Sequence, residues 1–206
     1  MKNSRIETIF NETFSGLKLF YRDTTLSPDL IAKYQIGQII KEKGFTDITR
    51  MSGGLSGNLR YLIASSDAKD LSVFNPDSAK IGHYLLSADT FFKVLDIQED
   101  DHKTQIFLLH IPENSIPLFK NSTSNIEEEI IEKAQKRFRE KINANLTPEL
   151  QTEAWKERTK LPIGMNENGE FFYDDSKVQK LESIKHLEIS KSGKATEVKK
   201  PWWKVW

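Results

Sequence analysis

The sequence contains no cysteine among its 206 residues. This absence excludes disulfide bonds, thiolate catalysis and thiolate metal ligands. The sequence also has no excess of charge of one sign, because 30 basic residues balance 30 acidic residues. Neither a uniformly basic surface for nucleic acid nor an acidic surface for binding cations is therefore expected.

Long apolar runs and familiar motifs are missing as well. No segment approaches the roughly 18 consecutive apolar residues that would span a bilayer, and the amino-terminal segment lacks the apolar region of a secretory signal. These features favour a cytoplasmic protein. No Walker, Rossmann, kinase, hydrolase or metalloprotease signature is present, and the four histidines lack metal-ligand spacing. The sequence therefore predicts no cofactor and no metal.

What the sequence does contain is a pair of apolar, aromatic-rich runs near its middle. Residues 90–98 and 104–111 flank a polar connector, which predicts a β-hairpin. Both faces of each run are mainly apolar, so we expect the hairpin near the centre of a sheet that is covered on both sides. A turn at Asp101–His102 would place Ile97 opposite Ile106.

The remaining patterns predict an α+β fold, in which helices pack on a mostly antiparallel sheet of about four or more strands. The sheet strands are expected at 46–51, 58–65, 90–98 and 104–111, with a short additional strand at 83–86. Helices are expected at 5–20, 28–43 and 125–143. Pro28 and Gly44 bound the second helix, and Ser124 and Glu127 form a capping box that opens the third.

Three regions of the chain differ in composition. Residues 1–120 are expected to form the α+β sheet core. Residues 121–190 are predicted to be a helical segment with a small hairpin, packed on the same core and including a helix–hairpin–helix part at about 147–188. Its hairpin signal is Asn168-Gly169, and its last helix is expected at 176–187. Residues 191–206 form a basic, tryptophan-rich tail.

A glycine-rich stretch, Ser52–Gly57, raises the question of phosphate binding. It lacks the Gly-Lys-Ser/Thr ending of a P-loop, and a strand-like pattern follows where a P-loop requires a helix. The stretch therefore predicts a flexible hairpin loop.

Four polar residues interrupt the apolar strands: Arg60, Lys93, Asp96 and His110. A buried charge needs a partner. In the predicted register Lys93 lies beside His110, where it would lower the pKa of the imidazole and suit it to act as a general base. Asp96 is expected on the opposite face. Structural ion pairs explain these residues more simply, but an enzyme that acts on a small anionic substrate, using His110 with Lys93 or Arg60, remains an alternative.

The tail suggests the leading hypothesis. Three of the four tryptophans fall in the last five residues, and exposed indole rings favour a binding surface. We therefore expect a non-enzymatic cytoplasmic binding or adaptor protein, for example of the bacterial immunity type, that engages a protein partner. The predicted partner-binding residues are Trp202, Trp203, Lys204 and Trp206. Two alternatives are a tail folded on its own domain and a peripheral membrane anchor. The oligomeric state is left open.

Overall fold

The computed structural model describes residues 2–120 and 124–173. In this part of the chain a mostly antiparallel sheet of eight strands has helices packed on it, so the predicted α+β architecture is confirmed. The predicted helix at 176–187 and the tail residues Trp202, Trp203, Lys204 and Trp206 lie outside the described residues. None of the described helices has the length and apolar character that a membrane-spanning segment requires.

The sheet has the strand order β2-β7-β8-β4-β1-β3-β6-β5, in which only the neighbours β4 and β8 are parallel. The strands are β1 (Lys18–Thr24), β2 (Ile39–Glu42), β3 (Thr46–Thr49), β4 (Leu59–Ser65), β5 (Lys69–Asp70), β6 (His83–Leu86), β7 (Thr90–Asp100) and β8 (Lys103–Ile111). The helices are α1 (Lys2–Phe14), α2 (Pro28–Ile31), α3 (Pro76–Lys80), α4 (Ile116–Phe119), α5 (Asn125–Lys141) and α6 (Glu153–Thr159). Two short 3₁₀ turns lie at Glu113–Ser115 and Pro148–Gln151.

Each face of the sheet carries its own apolar core. Every residue of β4 is buried, and its side chains alternate between the two cores. Tyr61 belongs to a core that also contains Tyr34 and Ile163, whereas Leu62 belongs to a core that includes Ala134 of α5. The two faces of the sheet are therefore separate environments, and a residue's position in its strand decides which one it enters.

The central hairpin is confirmed. Strands β7 and β8 pair along their length, with Ile97 opposite Ile106 as predicted. The tight turn includes Asp101, whose φ of 55° is in the left-handed region that aspartate tolerates better than most residues.

Two predicted helices are wrong in extent. The helix predicted at 28–43 ends at Ile31, and the chain then enters β2 through Gly37, which has a φ of 85°. Ile39 and Ile40 are both fully buried, on opposite faces of the sheet. Two adjacent apolar residues fit helical spacing, but they also suit a strand that is covered on both sides.

The helix predicted at 5–20 is likewise divided. Helix α1 ends at Phe14, and β1 begins at Lys18. Gly16 lies between them with a φ of 72°, a conformation that terminates the helix. Leu19 and Phe20 therefore belong to a strand near the middle of the sheet.

The glycine-rich stretch is not a hairpin loop, because β3 and β4 are not neighbours in the sheet. It packs instead on the segment that follows α5, and the Gly54 amide donates to the Asn145 carbonyl over 2.9 Å. A Cβ atom at Gly54 would lie 1.9 Å from the Ala144 carbonyl oxygen. Glycine is therefore required here for a close backbone approach.

Candidate functional site

The predicted pairing of Lys93 with His110 is wrong. Lys93 lies opposite Leu109, and the register shifts between Val94 and Asp96. The irregularity adds one residue to β7, so that Lys93 and His110 point to opposite faces of the sheet.

Lys93 instead forms a buried ion pair with α5. Its Nζ atom lies 2.7 Å from Glu127 Oε1, and the side chains are only 5% and 1% exposed. Glu127 Oε2 also accepts the Ser124 amide at 2.6 Å, which completes the predicted capping box. Asp96 lies on this same face and accepts a hydrogen bond from Gln135 of α5, contrary to the prediction. The register shift between Val94 and Asp96 is a β-bulge, and it places Lys93 and Asp96 on the same face of the sheet.

Arg60 also has a carboxylate partner. Its Nε and Nη2 atoms donate to the two carboxylate oxygens of Asp23, each over 2.7 Å. This bidentate geometry is the strongest that a guanidinium forms with a carboxylate, and it uses the fork that would otherwise hold an anion. The predicted grouping of His110 with Lys93 or Arg60 therefore does not exist in the structure.

His110 faces an open groove on the other side of the sheet. Ser65 Oγ accepts the Asp67 amide at 3.1 Å and lies within hydrogen-bond distance of His110 Nδ1, at 2.8 Å. Burial lowers the pKa of His110. Ser65 is only 1% exposed, so it orients the imidazole and does not reach a substrate. The groove is bordered by Glu12 and Asp67, whose carboxylates disfavour an anion.

The structure reveals a different polar cluster that the sequence analysis missed. Five side chains from one face of the sheet and the chain beside it each bind a backbone group of the same short segment, Lys160–Gly164. We call these side chains the polar row and the segment the strap. The polar row consists of Arg22, Thr24, Tyr34, Glu42 and Tyr61.

At the amino-terminal half of the strap, the polar row supplies donors to carbonyl oxygens. Thr24 Oγ1 donates to the Lys160 carbonyl at 3.2 Å, and Arg22 Nη2 donates to the Leu161 carbonyl at 3.1 Å. Pro162 has no amide proton to satisfy. At the carboxyl-terminal end, Glu42 Oε2 accepts the Gly164 amide at 2.7 Å.

The amide and carbonyl groups of Ile163 form part of a closed ring of hydrogen bonds with two tyrosine hydroxyls. Tyr34 donates its hydroxyl proton to the Ile163 carbonyl at 2.7 Å, so Tyr61 must donate to the Tyr34 oxygen, also at 2.7 Å. The Ile163 amide then donates to the Tyr61 oxygen at 3.3 Å. Burial raises the pKa of Tyr34 well above its usual value and that of Tyr61 to about 12, so both phenols stay protonated.

Arg22 is the unusual member of the polar row. It lies opposite Tyr61 in the register of β1 and β4 and is 6% exposed. Its guanidinium donates to the carbonyls of Asp47 and Leu161, yet within residues 2–120 and 124–173 it forms no ion pair with a carboxylate. Burial lowers the pKa of Arg22, while the nearby Tyr61, Asp47 and Glu42 act in the opposite direction.

Two buried polar atoms on this face of the sheet have no hydrogen-bond partner among the described residues. They are Arg22 Nε itself and Thr46 Oγ1 on β3. Thr46 alternates with Asp47 and so faces the same side as Ile48, which shares a core with Tyr61. The strap therefore leaves hydrogen-bonding capacity unused on this face. The described residues contain no group of three or more side chains suited to hold a metal ion.

A second polar cluster lies on the opposite face and fastens α6 to the sheet. His83 Nε2 donates to Asp47 Oδ1 at 2.7 Å, Arg158 approaches the same oxygen at 3.6 Å, and the Trp155 indole covers the imidazole. Burial alone would raise the pKa of Asp47, but His83 and Arg158 hold it below its usual value. These residues satisfy one another, so the cluster is structural.

No protein-family model and no curated protein sequence matches this chain. Comparison with solved structures gives partial matches. The type III effector XopAI from Xanthomonas axonopodis pv. citri is 18% identical with a TM-score of 0.41, over 50% of this chain and 46% of that chain. Exoenzyme S from Pseudomonas aeruginosa, in complex with human 14-3-3 protein beta and bound to carba-NAD, is 14% identical with a TM-score of 0.40, over 52% and 53%. The ADP-ribosyltransferase HopU1 of Pseudomonas syringae pv. Tomato is 17% identical with a TM-score of 0.39, over 46% and 45%.

These matches contradict the expectation of a non-enzymatic adaptor protein. Among the matches, HopU1, Vis and C3larvin are named as ADP-ribosyltransferases, which are enzymes. The chain spans about half the length of the first chains it matches. Identities of 13–18% and TM-scores of 0.36–0.41 assign no activity to this chain, so its function has to follow from its own residues.

Proposed function

We propose that this protein is an enzyme that acts on a small anionic substrate, and that Arg22 holds the anion. The observation that carries the proposal is the Nε–H of Arg22, which is buried without a partner among the described residues. A buried guanidinium is stable when an anion or several acceptors satisfy it. Among the described residues Arg22 donates to two neutral carbonyl oxygens and to no carboxylate oxygen, although Asp47 and Glu42 lie near enough to favour its charge, so one donor of the guanidinium remains available.

The chemistry of the guanidinium selects the class of ligand. Its planar fork matches the two oxygens of a carboxylate or phosphate, and charged hydrogen bonds of this kind are stronger than neutral ones. Thr46 Oγ1, buried on the same face, offers a further hydroxyl. By contrast, the guanidinium of Arg60 is already paired with the carboxylate of Asp23. The ammonium of Lys93 is likewise paired with the carboxylate of Glu127.

Glu42 is our candidate for proton transfer. It is the one carboxylate in the polar row, it is half-buried, and it lies close enough to Arg22 to favour the charged guanidinium. A carboxylate beside a bound anion can act as a general base or stabilise positive charge that develops in the substrate. The phenols of Tyr34 and Tyr61 remain protonated and act as hydrogen-bonding groups.

Calorimetric titration tests the binding step. The probes are inorganic phosphate, pyrophosphate, ADP and NAD, which carry one or two phosphate groups. We expect at least one probe to bind wild-type protein and Arg22→Gln to weaken that binding about 10- to 100-fold, since a hydrogen bond to a charged group contributes about 1.5–3 kcal/mol. Arg139→Gln, at an exposed position on α5, is the matched control and should bind normally. Failure of every probe, or equal binding by Arg22→Gln, would refute the proposal.

Chromatography of the bound probe then tests for catalysis. Wild-type protein should convert the probe that binds, whereas Glu42→Gln should bind it and convert it at least 100-fold more slowly, in the range typical of a lost acid–base group. Equal conversion by the two proteins would remove Glu42 from the reaction. Binding without conversion by wild-type protein would reduce the proposal to an anion-binding function.

A further inference from the structure

We infer that the strap is an internal occupant of the substrate site and that it leaves the polar row when the anionic substrate binds. This inference rests on the proposed function and adds its regulation: the chain as folded here is closed by its own segment. The strap (Lys160–Gly164) therefore acts as an autoinhibitory contact.

The first argument is the way the strap is held. All five hydrogen bonds between the strap and the polar row involve peptide groups of the strap. The Lys160 and Leu161 side chains are exposed, and only Pro162 and Ile163 insert apolar atoms. Extended peptides in peptide-binding sites are likewise held largely through hydrogen bonds of their main chain.

The second argument is the mismatch between the strap and the site. The Leu161 carbonyl gives Arg22 one neutral acceptor, while Arg22 Nε and Thr46 Oγ1 stay unsatisfied. An anion that engages the guanidinium fork would supply a charged acceptor to Arg22 Nε. Because the Leu161 carbonyl already lies on Nη2, the anion and the strap compete for Arg22.

The third argument is that the strap is flanked by anchors of its own. On its amino-terminal side, Trp155 of α6 is 4% exposed and packs on His83. On its carboxyl-terminal side, Met165 pairs with Phe171 in an isolated bridge. Gly164, with a φ of 83°, connects the strap to this second anchor. Because Met165 is 4% exposed in the core that contains Tyr61, both ends of the segment are held independently of the polar row. Displacement of the strap requires the Ile163 side chain, which is 1% exposed, to leave that core while the two anchors stay in place.

Hydrogen–deuterium exchange tests the movement directly. In free protein the amides of Ile163 and Gly164 should exchange slowly, because Tyr61 and Glu42 accept them in a buried environment. At a saturating concentration of the probe that binds, exchange in residues 160–165 should accelerate at least tenfold. The amides of β4 are the internal control and should not change. Unchanged or slower exchange in the strap with the probe bound would refute the inference.

Loosening the strap tests the competition. Pro162→Gly and Ile163→Ala should bind the probe about tenfold more tightly than wild-type protein, since more molecules have an open site. Leu146→Ala, at an exposed leucine outside the strap, is the control and should bind with wild-type affinity. Two strap variants are used so that binding can still be measured if one of them does not fold.

The outcomes separate the two ideas. If the probe binds wild-type protein and both folded strap variants equally, the strap inference fails and the proposed function stands. If no probe binds wild-type protein, the proposed function fails, and the strap inference that rests on it fails too. Tighter binding by the strap variants, lost again when Arg22→Gln is added, supports both.

Discussion

The hydroxyl groups of Tyr34 and Tyr61 lie 2.7 Å apart, and each also binds a peptide group of Ile163, more than 100 residues away in the chain. The three groups form a closed ring in which every proton has one defined acceptor. Because the ring is buried, removing one member leaves another polar group without a partner. The ring therefore couples the strap to the sheet.

The first prediction concerns this ring. Tyr34→Phe should lower the free energy of unfolding by about 1–3 kcal/mol, because it leaves the Ile163 carbonyl buried without a donor. Urea denaturation of Tyr34→Phe, Tyr61→Phe and the double variant measures the coupling. We expect the double variant to lose less stability than the sum of the two single variants. Additive losses would show that the two hydroxyls act independently.

The second prediction concerns the buried ion pair between Lys93 and Glu127. Lys93→Met should cost about 3–5 kcal/mol of stability, because it leaves a carboxylate that is 1% exposed without its cation. Combining it with Glu127→Gln should recover part of the loss, since the amide keeps the cap on Ser124 without the buried charge. Chemical denaturation measures both. A loss below 1 kcal/mol for Lys93→Met would contradict the role assigned to this pair.

The third prediction compares two glycines. Gly54→Ala should destabilise the protein strongly, by more than 3 kcal/mol, because backbone atoms of Ala144 occupy the space of the new methyl group. Gly44→Ala is the matched control: the nearest atom to its Cβ is a Glu42 side-chain oxygen at 3.4 Å. Thermal unfolding should show a large decrease in Tm for the first variant and little change for the second. Similar Tm values would mean that the close approach is not required.

Some elements of this fold can be predicted from the sequence and others cannot. Capping chemistry and the alternating apolar runs are local signals, so α5 and the hairpin of β7 and β8 were predicted correctly. The helix predicted over Ile39 and Ile40 is wrong, because a two-residue apolar run fits either a helix or a strand with two covered faces. Burial on both faces depends on distant segments, and only the structure reveals it.

Arg22 was missed for a related reason. The run that contains it was assigned in part to a helix, whereas in β1 the side chains of Phe20, Arg22 and Thr24 alternate onto one face. Recognising β1 as a strand would have made Arg22 a fifth polar interruption of an apolar strand. Its contact with Leu161 spans 139 positions in the sequence, and no local pattern predicts such a pairing.

The last prediction concerns His110 and pH. Burial holds the pKa of His110 below the value of about 6.5 expected in the unfolded chain. As the pH falls through about 6.5, the unfolded chain therefore takes up a proton before the folded protein does, and the folded state loses stability. The loss continues until the pH reaches the lower pKa of the folded state.

Stability measured by urea denaturation should thus be constant above about pH 7.5 and decline as the pH falls below about 6.5. His110→Gln should flatten this decline, because it removes the titrating group. His102→Gln is the matched control, since the His102 side chain is 94% exposed and its replacement should leave the profile unchanged. If His110→Gln shows the same decline as wild-type protein, then another group is responsible, and the hydrogen bond between Ser65 and His110 does not govern the pH response of this face.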